Sequence, residues 1–165
     1  RMRVARRPRG MYLPSMNPRE LMNRVAAILD AHGTGLLATT DAEGAPHVRW
    51  LTPTVLRDRP DTIYALTAPR FAKVAQVRAH PRVEWMFQVP SLAEIVTVRG
   101  TVSVVDNPSL RAEVLEAVGP RLRTFFQLAK DGRDLAVLET AIEEATHYLP
   151  MEGRKSVVRF TGTDG

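Results

Sequence analysis

The amino-acid sequence predicts an α+β, mainly β fold: a small closed or half-closed antiparallel barrel with flanking helices. Three observations predict it. Apolar and β-branched residues alternate with polar ones in five separate stretches between Thr34 and Val105, as strands with one buried face do. Turn chemistry separates the early stretches, T-T-D-A-E-G-A after the first and R-D-R-P-D after the second. The last stretch, 93–105, is long and is interrupted by Gly100, where a bend or bulge lets a sheet curl and lose its exposed edges.

The elements follow in chain order. Asn17-Pro18-Arg19-Glu20 supplies an N-cap, a Pro at the first helical position and a Glu at the third, a capping box. Leu21, Val25, Ile28 and Leu29 then recur at helical spacing until Gly33, and His32 in the last turn suits the helix dipole. Strand one is 34–40. Strand two is 46–56, with Val48, Trp50, Thr52 and Thr54 on one face and His47, Arg49, Leu51 and Val55 on the other. Pro53 cannot donate to a ladder, so this strand is expected to bulge or lie at an edge there. Strand three, 62–67, leads to a helix expected over 69–79, with Pro69 first and Phe71, Val74, Ala75 and Arg78 as its inward stripe. His80-Pro81 ends it. Strand four is 82–89, strand five 93–105. From Asp106-Asn107-Pro108 the period becomes helical, through Leu110, Val114, Leu115 and Val118, then Leu122, Phe125, Phe126 and Ala129, then Leu135, Leu138, Ile142 and Ala145. This predicts a helical insertion over about 107–146, followed by strands at 147–151 and 156–161.

A length of 165 residues suits one domain with a sizeable core. With no cysteine there are no disulfides and no thiolate chemistry or thiolate metal sites, which suits a reducing compartment and makes the cytoplasm the default. His32, His47, His80 and His147 stand apart without metal-ligand spacing, so no metal site is expected. The net charge of +5 suggests nucleic acid until it is located, because Arg1, Arg3, Arg6, Arg7 and Arg9 supply five positives. The segment 1–16 therefore reads as a basic, disordered tail, with Met11 a second possible start, and nucleic acid is not the expected partner. The domain is 17–165. No apolar run reaches membrane-spanning length.

The chemistry is narrowed by what is missing. There is no G-x-S-x-G, no pair of carboxylates sharing a motif, and no glycine order of a P-loop or dinucleotide turn. What the chain does offer is Arg70 and Lys73 in the first turns of a helix, where cations are normally unfavourable by roughly 0.3 to 1 kcal/mol and so invite an anion. An anion cradle without an acid, base or nucleophile suits a bound cofactor that carries the reaction, with catalytic residues unassigned.

In combination, L-A-T-T-D-A-E-G-A-P-H-V-R-W, I-Y-A-L-T-A-P-R-F-A-K-V, H-P-R-V-E-W and I-V-T-V-R-G-T-V-S-V-V resemble the pyridoxamine 5′-phosphate oxidase-like flavin-binding split β-barrel family, particularly its general-stress-protein branch. The resemblance covers roughly 21–105, with 156–161 similar to the closing strand. It implies a six- to seven-stranded antiparallel split β-barrel that binds flavin mononucleotide (FMN) and acts as an oxidoreductase on a small molecule. It implies that Arg49 and Lys73 hold the cofactor phosphate with Arg70 nearby, while Trp50, Leu51, Thr52, Leu66 and Thr67 line the ring and ribityl chain. It also implies a homodimer with flavin at the subunit interface, strands four and five contributing from the partner. A deazaflavin or haem in the same architecture, and a non-catalytic flavin-binding or stress-related protein, are the alternatives. The chain ends VVRFTGTDG, without the Trp and Arg-x-His element of authentic pyridoxamine phosphate oxidases, so vitamin B6 oxidation is not expected.

Overall fold

A computed structural model describes residues 16–122 and 135–160; the arginines of the basic tail and the 122–129 stripe beyond Leu122 lie outside the described residues. Helix α1 (Pro18–His32) begins with the predicted capping box, Asn17 Oδ1 accepting from the Glu20 N–H and Glu20 Oε2 from the Asn17 N–H. It ends at Gly33, whose φ of 74° is the left-handed value that lets its N–H reach back to Leu29. Its apolar stripe, Leu21, Met22, Val25, Ile28 and Leu29, is buried.

Among the described residues eight strands follow: β1 (Gly35–Thr40), β2 (Pro46–Leu51), β3 (Thr54–Leu56), β4 (Arg59–Thr67), β5 (Arg82–Gln88), β6 (Ile95–Val105), β7 (Ala136–Leu149) and β8 (Arg154–Arg159). Helix α2 (Ala72–Ala79) lies between β4 and β5, and α3 (Pro108–Val118) between β6 and β7. All pairings are antiparallel, in the order β2-β1-β5-β6-β7-β4-β3, with β8 added on β7. The two ends of this order, β2 and β3, are the halves of the predicted second strand, parted at Thr52-Pro53. A proline that cannot donate frees the chain from β1 and lets it turn onto β4, so one bent strand joins both ends of the sheet into a split β-barrel. Counted once, that bent strand gives seven, within the range the sequence implies.

The helical insertion is shorter than expected. Helical structure runs from Pro108 to Leu122, but Ala136–Leu149, which holds Leu138, Ile142 and Ala145 of the last expected helical stripe, is the longest strand among the described residues. Strand β7 pairs with β6 along its length, with β4 over 136–141 and with β8 over 144–149. The mistaken period has a physical cause. Arg99 faces Glu144 while Gly100 faces Ile142, so Glu143 is an extra residue in β7. Such a bulge shifts strand parity by one, and buried positions at 138, 140 and 142 continue at 145 and 147, which mimics helical spacing over Leu138, Ile142 and Ala145. Gly100 permits it: a Cβ there would stand 2.2 Å from the Ala141 carbonyl oxygen.

The main core fills the barrel between α1 and the sheet, with Leu37, Ile63, Trp85, Phe87, Val96, Val98 and Leu138 all at 0% exposure. The Trp85 indole N–H donates to the Thr140 hydroxyl at 3.1 Å, satisfying both inside that core. A second cluster lies on the other side of β4 and β7, where Tyr64, Leu66 and Val137 pack against Leu110, Val114 and Val118 of α3. Arg121 ties the helix ends together by donating to the Leu29 carbonyl of α1 and the Val118 carbonyl of α3. His147, 3% exposed, bonds Glu94 at 2.9 Å, and Arg24 of α1 approaches the same carboxylate.

Candidate anion site on the barrel wall

The β1–β2 hairpin forms as its turn residues dictate. Asp41 Oδ1 accepts from the Glu43 and Ala45 N–H groups, and Gly44 takes a φ of 88°. The register places Thr39 opposite His47 and Leu37 opposite Arg49. Strand alternation then sends His47, Arg49 and Leu51 to the inner face and Val48 and Trp50 outward.

The helix after β4 starts later than predicted. Pro69 and Arg70 form a turn closed by the Phe71 N–H to the Ala68 carbonyl, and α2 begins at Ala72 with Phe71 as an N-cap lacking a side-chain bond. The three-residue delay has a local reason: the turn residues fit Pro69 at its second position, where φ is preset. The buried stripe is accordingly Val74 and Val77, while Ala75 and Arg78 are exposed. Lys73 and Gln76, three apart, share the flank turned toward the hairpin, and Thr67 does not cap the helix.

These elements bring two cations together. The Arg49 guanidinium donates to Thr39 Oγ1 at 2.6 Å and to Gln76 Oε1 at 2.9 Å, and the Thr39 hydroxyl donates to the same Gln76 oxygen at 2.7 Å. The Lys73 ammonium donates to Thr67 Oγ1 at 3.2 Å and lies 4.3 Å from the centre of the Phe71 ring. Burial pushes the Lys73 pKa down, and the charge of Arg49 pushes it further the same way. Burial likewise lowers that of Arg49. Among the described residues neither cation pairs with a carboxylate; their partners are neutral oxygens. Two partly desolvated, mutually repelling cations on one wall are electrostatically complementary to an anion.

The other expected site residues are placed differently. Trp50 faces outward, 78% exposed. Leu51 is in the main core, and Leu66 is buried under α3. Thr52 is half-buried in the link between β2 and β3, within reach of neither cation by any hydrogen bond among the described residues. Arg70 is exposed, 5.8 Å from the Phe71 ring, and borders a separate cavity of about 470 Å³ with Asp106 and Arg111. Side chains of Arg49, Thr67 and Lys73 thus converge; those of Trp50, Leu51, Leu66 and Arg70 do not.

Sequence reasoning missed Thr39, Gln76 and the pair Asp41–His47, whose Nε2 and Oδ2 lie 2.7 Å apart. The signals were the hairpin register, which sets Thr39 across from His47, and the three-residue spacing of Lys73 and Gln76. Another cavity, of about 660 Å³, lies between α1 and the β3–β4 hairpin, and neither Arg49 nor Lys73 lines it. Among the described residues no three metal-ligating side chains gather, and no helix is long and apolar enough to cross a membrane.

Comparison with known proteins gives three results. A family model described as pyridoxamine 5′-phosphate oxidase matches residues 21–148. No match was found among curated proteins. Among solved structures, a protein related to general stress protein 26 from Clostridium acetobutylicum superposes with a TM-score of 0.69 at 10% identity, covering 86% of this chain and 96% of that one. General stress protein 26 of Bacillus anthracis gives 0.65 at 14% identity, covering 85% and 98%. A haem-binding protein of Mycobacterium smegmatis gives 0.66 at 20% identity, covering 90% of this chain and 60% of that one. At these identities the likeness is one of fold.

Proposed function

The chain belongs to the pyridoxamine 5′-phosphate oxidase family, whose model spans residues 21–148, and from that premise we propose that it is a cytoplasmic, FMN-binding oxidoreductase acting on a small molecule. The observation that carries this reading is the Arg49–Lys73 pair, two half-buried cations with only neutral partners among the described residues. A phosphate would accept from both and relieve their repulsion, while Thr39, Gln76 and Thr67 hold them in place. The bound flavin would supply two-electron redox chemistry; the protein orients it and sets its electrostatic surroundings.

The active form in this proposal is a homodimer built on the outer face of the barrel. Trp50, Leu36, Met86, Thr97, Thr146 and Val157 stand side by side across six strands, with Trp50 at 78% and Val157 at 54% exposure. Beside this mostly apolar row runs a charged one, Glu84, Arg99, Glu144 and Arg159, each in register with the next. A row that alternates negative and positive over four positions is self-complementary when reversed, so a two-fold axis between Arg99 and Glu144 sets every charge against its opposite.

Native mass spectrometry of the purified protein tests the reading, because it reports subunit number and bound ligand together. A dimer carrying FMN, with the flavin lost in Lys73→Ala, is the expected result; a colourless protein that takes up no added FMN sinks it. The fold shared with a haem-binding protein keeps haem a second reading, and the absorption spectrum of released cofactor separates flavin, deazaflavin and haem.

A further inference from the structure

The Asp41–His47 pair sits next to the cation cluster, and nothing in the proposed site yet uses it. His47 is on the same inner face of β2 as Arg49, two residues away and so about 7 Å along the strand. Across the register from it is Thr39, which already holds Arg49. The imidazole bonds Asp41 through Nε2, at 2.7 Å, and its side chain is 43% exposed, open to solvent and to a ligand on the wall. Asp41 is fixed independently by two backbone N–H groups of its own turn. We propose that Asp41 and His47 form a proton-dependent element of the phosphate site, which favours a bound phosphate when His47 is protonated and repels it when His47 is neutral.

The proposal rests on the assignment of a phosphate to Arg49 and Lys73, and its sign follows from charge alone. With His47 protonated the pair is neutral; with His47 deprotonated the Asp41 carboxylate leaves a net negative charge beside the anion. The hydrogen bond from His47 holds the Asp41 carboxyl below its usual range, so Asp41 is the standing negative charge that a proton on the imidazole would balance. By element, the charged groups nearest the pair in the fold are Glu43 in the same turn, Arg49 on β2, and Lys73 and Arg78 on α2 with His80 after it, while Arg82, opening β5, has the strand parity of the outer face. At the separations of one strand repeat, one unit of charge in a half-solvated site changes phosphate affinity roughly threefold to tenfold.

The experiment is an FMN titration of the full chain at pH 5.5 to 8.5, with riboflavin as a phosphate-free control, for wild type, Asp41→Asn and His47→Gln. Asn keeps the Oδ1 acceptor that the turn needs. The second ionisation of the ligand phosphate, near pH 6, acts on all three proteins alike and cancels in their comparison. Expected are a roughly threefold to tenfold tighter FMN binding by Asp41→Asn at pH 8, unchanged riboflavin binding, and a flatter pH profile for His47→Gln. FMN profiles of both variants that track wild type at every pH overturn the inference while leaving the phosphate site intact. A wild type whose FMN binding is indifferent to Lys73→Ala overturns the phosphate site and this inference with it.

Discussion

Lys73 costs the ligand-free protein stability, and the sign can be worked out. Its folded pKa is depressed by burial and by Arg49, so the folded protein binds fewer protons there than the unfolded chain does over the interval between the two values. Stability rises with pH across that interval, and below it, where Lys73 is charged in both states, the full penalty stands. Lys73→Met keeps the apolar stem and removes the charge. In the absence of ligand it is expected to be as stable as wild type or more so by a few tenths of a kcal/mol, given its partial exposure. Urea denaturation with and without FMN checks both sides, since wild type should gain about 2.7 kcal/mol at a hundredfold excess over Kd and the variant should gain little. Asp41 carries the opposite sign. Its depressed folded pKa contributes stability that is present above the unfolded carboxyl value, near about 3.9, and lost as pH falls through the folded one. Asp41→Asn should therefore flatten the pH dependence of unfolding below about pH 4, read as urea midpoints at pH 3 and pH 6.

Among the elements, the bulge shared by β6 and β7 is the most exacting. Adding a Cβ at Gly100 would place carbon 2.2 Å from the Ala141 oxygen and 3.0 Å from its carbonyl carbon, and a sheet backbone has little room to yield. Gly100→Ala should cost about 1 to 3 kcal/mol, against less than about 0.5 for Ser103→Ala on the exposed face of the same strand. Equal midpoints for the two variants in chemical denaturation would show that the bulge accommodates a side chain. The same bulge explains what was legible in the sequence. Capping at Asn17, the hairpin at Asp41–Gly44 and the break at Pro53 are local, determined by residues within a few positions, and the structure has them where the sequence puts them. The identity of β7 is not local, because its parity is reset by the extra residue Glu143, whose place depends on the pairing of Gly100 with Ile142, more than forty residues away. The candidate site divides in the same way. The convergence of Arg49 and Lys73 follows from strand alternation and a helix start, but Gln76, Thr39 and the Asp41–His47 pair depend on which flank of α2 meets the hairpin, and that is a matter of tertiary packing.

At the scale of the whole molecule, the outer face of the barrel poses the strongest question, because a folded chain does not ordinarily leave Trp50 at 78% and Val48 at 65% exposure on one strand. The proposed two-fold axis between Arg99 and Glu144 makes an asymmetric prediction about charge. Within one chain Arg99 donates to Glu144, and Arg159 reaches that carboxylate as well, an exposed network of modest value to the fold. Across the axis, Arg99 would meet the Glu144 of a second copy, in a contact drained of water by the apolar row beside it. Arg99→Glu therefore sets like charges together both within and between chains and should weaken dimerisation roughly tenfold to a thousandfold, like-charge contacts at interfaces costing several kcal/mol. The exchange Arg99→Glu with Glu144→Arg restores opposite charges in both places and should recover much of the lost association. Sedimentation velocity over a concentration series reads all three proteins, with thermal melts to show that each is folded. A single variant as dimeric as wild type removes this face from the interface, and a double variant no better than the single one removes the reversed pairing. If the pattern holds, the outward side of β2 is closed by a second subunit while its inward side carries Arg49, and a change at Trp50 should then alter cofactor affinity through the interface without touching the phosphate.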